Sequence, residues 1–341
     1  METSNTITVS SYKKIRNSLT LGRLIAVGIL AAILWSYTND PKITVAVLRG
    51  TLRHSTPLIL GALCGLIGER SGIINIGIEG QMLMSAFTAF VVSAYTGSLI
   101  IAIGAGLLTG ALLGLLLAFM SVTLKVDQII GGTVINILAL GLSGFYYTQN
   151  LTTKGKLPSI DLGLFAEIPL IGEIFTSKGA ITYAAIALVF VVHYVLFYTR
   201  WGLRTRAVGE HPRAADTVGI NVFMMRYANV IIAGAIGGLG GVFLTLEGVG
   251  TFSRAMTNGR GFLALAVMIF GKWTPFGAWG AALLFGFAFA MQTQISLSGV
   301  VDIPPQFIGM LPYILTIAVL AGFVGRARPP AAEGIPYEKE G

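Results

Sequence analysis

Charge is what this chain has least of. Asp, Glu, Lys and Arg make up only 11% of its 341 residues, where a soluble domain carries about 25%. Hydrophobic residues supply 54% and the mean hydropathy is +0.78. A water-soluble fold is excluded, and apolar runs of about 17–25 residues point to helical membrane spans and away from a barrel. There is one cysteine, Cys64, set among apolar residues, so no intrachain disulfide can form and a small buried side chain is its natural role. The three histidines, His54, His193 and His211, are too far apart in sequence to offer metal-ligand spacing. No G-x-x-x-x-G-K-[ST] loop occurs, and the pairs Gly155-Lys156 and Gly271-Lys272 lack its flanking residues. The chain therefore binds no cofactor of its own, and any ATP used must be hydrolysed by a separate chain. No nucleophile–base set can be assembled, which argues against enzymatic chemistry.

The net charge of +8 comes from basic residues scattered over short loops, the distribution that membrane orientation requires and not that of a nucleic-acid site. The fold class is all-α, a polytopic transmembrane helical protein of about ten spans. These fall near 21–38, 44–67, 73–96, 98–122, 127–149, 179–199, 226–249, 261–272, 276–297 and 306–325. The eighth run is too short to cross alone and suggests a broken or re-entrant helix. The second carries Arg49, Arg53 and His54 near its start, placing that part either at the interface or against the protein interior. Residues 1–20 form a polar amino-terminal segment with no convincing cleavage site after the first apolar run, so that run is read as an uncleaved span. Residues 21–325 form the membrane domain and 326–341 the tail. Lys13, Lys14, Arg16 and Arg23 put the amino terminus inside. Ten crossings return Arg326 and Arg328 to the same side, along with the arginine-rich loop 200–225. Glycine pairs such as Gly106-Gly110-Gly114 and Gly234-Gly238 suit close helix packing better than hinges.

Three polar islands interrupt this apolar background. GERSGIINIGIEGQMLM, starting at Gly68, places Asn75, Glu79, Gln81 and Met82 where polar groups and weak helix geometry are costly unless protein or a water-filled cavity surrounds them. These residues either line a solute pathway or tie a broken segment to its neighbours, while Glu69 and Arg70 suit a structural pair or headgroup contacts. DQIIGGTVINILALGL, starting at Asp127, places Thr133 and Asn136 three apart on one helix face, where they either meet the same cavity or join helices. The third island, GLRTRAVGEHPRAADTVGINV from Gly202, has Pro212 at the start of a short helix through Val218 that Gly219 ends. A capped helix of mixed charge suits a partner's groove. RSGII from Arg70 and RGFLA from Arg260 each open an apolar segment in opposite orientations, as an inverted repeat would, although chance accounts for so thin a match equally well.

Together with GRGFLALAVMIFGKWTPFGAWGAALLFG from Gly259, these islands resemble the permease subunits of bacterial ABC importers of the branched-chain amino acid and ribose type, particularly the nucleoside and simple-sugar subgroup. The resemblance runs from about residue 50 to 325. It implies a passage for a nucleoside or related simple sugar shared with a second permease chain, homologous or identical. It also implies cytoplasmic ATP-binding subunits, an extracytoplasmic solute-binding protein or lipoprotein, and a location in the bacterial cell membrane, among lipid, with both termini cytoplasmic. By position, Asn75, Glu79, Gln81 and Met82 with Thr133 and Asn136 would lie near the pathway. Arg206, Glu210, Pro212, Arg213, Ala214, Ala215, Asp216 and Gly219 would belong to the segment that engages the ATPase. The competing reading is a stand-alone secondary transporter or channel for a small polar solute, with Glu79 as the ion-coupled group.

Overall fold

The computed structural model describes residues 33, 35–147, 151, 153, 155–160, 163, 168, 171–175, 178–298, 304–310, 313–314 and 328–339. The amino-terminal segment 1–20, and most of the expected spans 21–38 and 306–325, lie outside them. The described residues form helices α1 (Pro41–Glu69), α2 (Ile78–Thr96), α3 (Leu99–Ala118), α4 (Gln128–Tyr146), α5 (Ile171–Phe175), α6 (Ala180–Tyr198), α7 (Arg200–Glu210), α8 (Pro212–Thr217), α9 (Val222–Val242), α10 (Arg260–Phe270), α11 (Pro275–Ser298) and α12 (Pro305–Gly309). Wider π turns extend α3 through Phe119–Thr123 and α9 through Phe243–Val249. Among the described residues five helices are long and apolar enough to cross a membrane: α3, α4, α6, α9 and α11, the first and fourth counted with their π turns.

The helix starts follow from local chemistry. Asp40 accepts from the Ile43 amide ahead of Pro41, Asp127 accepts from Ile129 and Ile130, and Asn221 accepts from Met224. Each such cap satisfies amides that helix geometry leaves orphaned. The outward faces of α3 and α4 are apolar, with Leu108, Leu112, Ile129, Ile137 and Phe145 exposed. At membrane depth such a face meets acyl chains.

α1 is the axis of the bundle. It runs 29 residues, about 43 Å at 1.5 Å per residue, and packs against α6, α9, α10 and α11. From Ser55 to Glu69 every residue is buried. α3 lies against α9 through glycine: a Cβ on Gly110 would stand 2.8 Å from the Gly238 Cα, and one on Gly238 would stand 2.8 Å from the Gly106 carbonyl oxygen. The helix-packing role expected of these glycines is what they perform.

The expected span 73–96 begins later, at Ile78. Gly72 turns the chain at φ +88°, a left-handed conformation suited to glycine. The amides of Ser71, Gly72 and Ile73 bond back to the carbonyls of Gly68 and Glu69, and residues 73–77 leave the helix. The eighth run is short as expected. α10 has 11 residues, about 16 Å, roughly half of a ~30 Å hydrocarbon core. It runs parallel to α1, with Gly61 facing Ala264, Gly65 facing Met268, and Arg70 bonded to the Trp273 carbonyl. α10 therefore starts beside Leu58, near the middle of α1, and ends level with Glu69.

Candidate functional site

The first polar island folds into a closed cluster. Asn75, Gln81 and Met82 are each fully buried. The Asn75 Nδ2 donates to the Gln81 Oε1 at 3.1 Å and approaches the Cys64 Sγ at 3.4 Å, while the Cys64 thiol faces the same Gln81 oxygen at 3.4 Å. Asn136 reaches this region from α4. Its Oδ1 accepts from the Gly80 amide at 2.7 Å and its Nδ2 donates to the Ile76 carbonyl at 3.0 Å. The contact is tight enough that a Cβ on Gly80 would stand 2.7 Å from the Ile135 carbonyl oxygen. Thr133 does not join Asn136. It is exposed, and its hydroxyl donates to the Ile129 carbonyl of its own helix. The three-residue spacing turns Asn136 inward and leaves Thr133 at the edge of that face.

Glu79 stands apart from its neighbours. Its two carboxylate oxygens accept from the Gly259 amide at 2.8 Å and the Gly261 amide at 2.6 Å. These are orphan donors at the start of α10, so Glu79 caps a half-length helix beside the middle of α1. Glu69 and Arg70 do not pair with each other. The Glu69 carboxylate accepts from the Trp273 indole at 2.6 Å, and Arg70 donates to the Trp273 carbonyl at 2.7 and 3.0 Å. Both hold the turn between α10 and α11.

Two cavities open along the other half of α1, and the sequence reading assigned neither. The larger, about 650 Å³, is lined by Arg49, Arg53, His54, Lys156, Lys178 and Glu247 among others. The π turn after α9 shapes it. Glu247 is aimed at the start of α6, accepting from the Gly179 and Ile181 amides at 3.1 and 2.9 Å and from the Thr182 hydroxyl. The Gly248 carbonyl accepts from Arg53 at 2.6 Å and Lys156 at 3.3 Å, and Lys178 donates to the Arg49 carbonyl at 2.8 Å. The cations are thus held by carbonyl oxygens, and among the described residues none has a carboxylate within ion-pair distance. Burial, followed by Arg49 and Arg53, pushes the Lys178 ammonium down to about 8.

His54 also lines the second cavity, about 410 Å³, with Leu58, Asn258, Arg260, Phe262, Phe289 and Tyr313 among the rest. This space sits at the start of α10, beside the amides that Glu79 caps. The basic residues of α1 line these cavities, Arg49 and His54 half-buried and Arg53 exposed. The signal that could have found the second cavity was the short eighth run, because a half-helix exposes backbone ends at membrane depth.

At the opposite end of α1 lies the third island. α8 begins at Pro212 and ends before Gly219, whose φ of +82° gives the expected glycine stop. Arg213 and Ala214 are exposed, Asp216 is half-buried and Ala215 packs inward with Val208 and Tyr337. Arg206 lies apart from them, its guanidinium 5.2 Å from the centre of the Phe197 ring. The carboxyl-terminal tail, which drew no role from sequence, completes this surface. The Ala331 amide donates to Glu210, Ala332 to the Gly209 carbonyl, Gly334 to the Gly72 carbonyl and Arg226 to the Ile335 carbonyl. Tail and α8 together line a groove of about 690 Å³. One surface thereby joins the third island to the break after α1.

A membrane bundle with a half-length helix, polar cavities along one central helix and an exposed short helix at one end describes a transport permease. The chain belongs to the family of branched-chain amino acid transport system permease components, which matches residues 47–320. The resemblance drawn from the four sequence segments holds. The chain is 43% identical over 312 residues to the guanosine ABC transporter permease protein NupQ of Bacillus subtilis, covering 87% of this chain and 98% of the relative. It is 40% identical over 314 residues to the nucleoside ABC transporter permease protein NupC of Lactococcus lactis, covering 88% and 98%. A second Bacillus subtilis protein, the guanosine ABC transporter permease protein NupP, matches at 30% over 249 residues, covering 69% and 70%. No solved structure matches the chain.

Proposed function

We propose that this chain is one permease subunit of an ATP-driven importer of nucleosides, and that it forms the solute passage with a second, related permease chain. The observation that carries this reading is the nearly full-length similarity to guanosine and nucleoside permeases. A second guanosine permease of Bacillus subtilis among the relatives supports a non-identical partner. ATP is hydrolysed by separate subunits docked on α8 and the tail, consistent with a chain that carries no phosphate-binding loop. On a count of ten crossings α8 and both termini lie in the cytoplasm of a bacterial cell, and the Arg49–Lys178 cavity opens outward, where a solute-binding protein delivers its load. Glu79, capping the start of α10, joins the two segments of the proposed inverted repeat.

The cycle then follows from differential affinity. ATP-loaded partner subunits bind one arrangement of the paired permeases more tightly than the other and shift the balance between outward and inward openings. Vesicles containing the whole assembly test the reading. ATP-dependent guanosine uptake is expected, with no ATP hydrolysis by the isolated chain. Ion-driven uptake by this chain alone, without ATP, would instead establish the secondary-transporter reading.

A further inference from the structure

We infer that the 410 Å³ cavity at the start of α10 is the transit site for the solute's nucleobase, with His54, Asn258 and Phe289 as its recognition residues. This inference rests on the importer reading. The site accepts an uncharged, planar heterocycle whose edge carries both hydrogen-bond donors and acceptors.

Position is the first argument. The cavity lies beside the amino-terminal end of a half-length helix, near the middle of α1. Broken helices at membrane depth occur where backbone ends are enclosed by protein or line a solute space. His54 also lines the 650 Å³ cavity, so the two spaces meet at this side chain. Leu58, Leu263 and Ala266 form the apolar part of the smaller space.

The second argument is the lining. Phe262, Phe289 and Tyr313 supply three aromatic rings, and Phe262 and Tyr313 remain exposed. His54 lies 5.8 Å from Phe289, centre to centre, with the ring planes tilted by 37°. A base inserted here gains ring contact with a flat surface that a free sugar does not possess. The volume falls within the range of small-ligand pockets, about 300–1,000 Å³.

The third argument concerns polar groups that remain available. Neither the His54 imidazole nor the Asn258 amide has a side-chain hydrogen bond among the described residues. An amide side chain both donates and accepts, matching a base edge. Arg260 directs one nitrogen to the Met256 and Thr257 carbonyls, at 3.0 and 3.3 Å. Among the described residues no carboxylate lines this cavity. The adjacent one, Glu79, uses both oxygens on backbone amides. The site therefore lacks the counter-charge that a cationic solute would require, whereas a neutral base needs none.

The test uses the whole assembly in vesicles with this chain bearing Asn258→Cys. Cys64 is fully buried, so the introduced thiol is this chain's accessible one, and its labelling by a water-soluble maleimide is read by mass spectrometry of this chain. Guanosine and free guanine should each slow labelling roughly tenfold at ~10 times the apparent Kd that each has for the Asn258→Cys assembly, as simple competition requires. Ribose at the same concentration should leave the rate unchanged. Adding Phe289→Leu should restore fast labelling in the presence of guanosine, and Phe289→Tyr should keep the protection. Uptake of guanosine by the wild-type assembly, combined with an unprotected thiol, would overturn the site while leaving the importer reading intact. Protection by ribose equal to that by guanine would also overturn base recognition. Absence of nucleoside uptake by the wild-type assembly would overturn both readings.

Discussion

Two polar regions flank α1, and they differ in whether there is open space beside their polar groups. Around Cys64, the groups of Asn75, Gln81 and Asn136 interlock with one another and with backbone, in a space with no room for a methyl group on Gly80. Around His54, the polar groups of Asn258 and the imidazole itself face a cavity. The two regions have similar residue types, so polarity alone does not separate them. The Asn75 Oδ1 and Gln81 Nε2 have no partner among the described residues, but both side chains are fully enclosed, while the polar groups at His54 and Asn258 border a cavity that a solute can enter.

The largest effect that breaks or sharpens this comparison is expected outside both regions, at α8. Replacing residues 210–216 with a glycine-serine segment should abolish coupled uptake while this chain still assembles in the membrane. The check is uptake in ATP-loaded vesicles alongside ATP hydrolysis by the assembly, and retained coupled uptake would remove the docking assignment. Next comes the closed cluster. Asn75→Ala strips the Gln81 oxygen of its amide donor and should lower the assembly's stability by about 1–3 kcal/mol, measured by thermal unfolding in detergent.

Glu79→Gln is expected to have a smaller effect. The Gln nitrogen would face one of the two capped amides donor to donor, so that amide loses its acceptor at a cost of ~1–2 kcal/mol, while the other keeps a neutral oxygen. ATP-driven uptake should remain within a few-fold of wild type. Complete loss of uptake in a stably folded Glu79→Gln assembly would favour an ion-coupled carboxylate.

The last effect is a pH dependence at Lys178. Its folded pKa, near 8, lies below the ordinary lysine value of 10.5. Between these two values the unfolded chain binds the proton and the folded chain does not, so stability should rise as pH climbs from about 8 towards 10.5. Below 8 both states are protonated, and the cost of holding the charged form is present in full. Thermal unfolding across this pH range should show that rise in wild type and lose its Lys178 component in Lys178→Met. An unchanged pH profile in the variant would exclude Lys178 as the source.

Much of this molecule was legible from sequence. Pro212 and Gly219 marked the limits of a short helix because each has a strong local conformational preference. The glycine pairs of α3 and α9 and the short run after Gly259 were equally readable. The placement of side chains was not. Glu79 lies 180 positions before Gly259 and caps it only because α10 begins beside the middle of α1. Thr133 and Asn136 share a spacing but not an environment, since one backbone approach at Gly80 takes Asn136 alone. The tail's place beside Glu210 depends on long-range backbone bonds that leave no periodic signal.

The most direct measurement of the contrast compares Asn75→Ala and Asn258→Ala in the same assembly, recording guanosine uptake KM and thermal stability for each. Asn258→Ala is predicted to raise KM roughly tenfold, the equivalent of ~1.4 kcal/mol, without changing the melting temperature. Asn75→Ala is predicted to lower the melting temperature and leave KM unchanged. The reverse pattern, with KM moving at Asn75 and only stability at Asn258, would contradict the account.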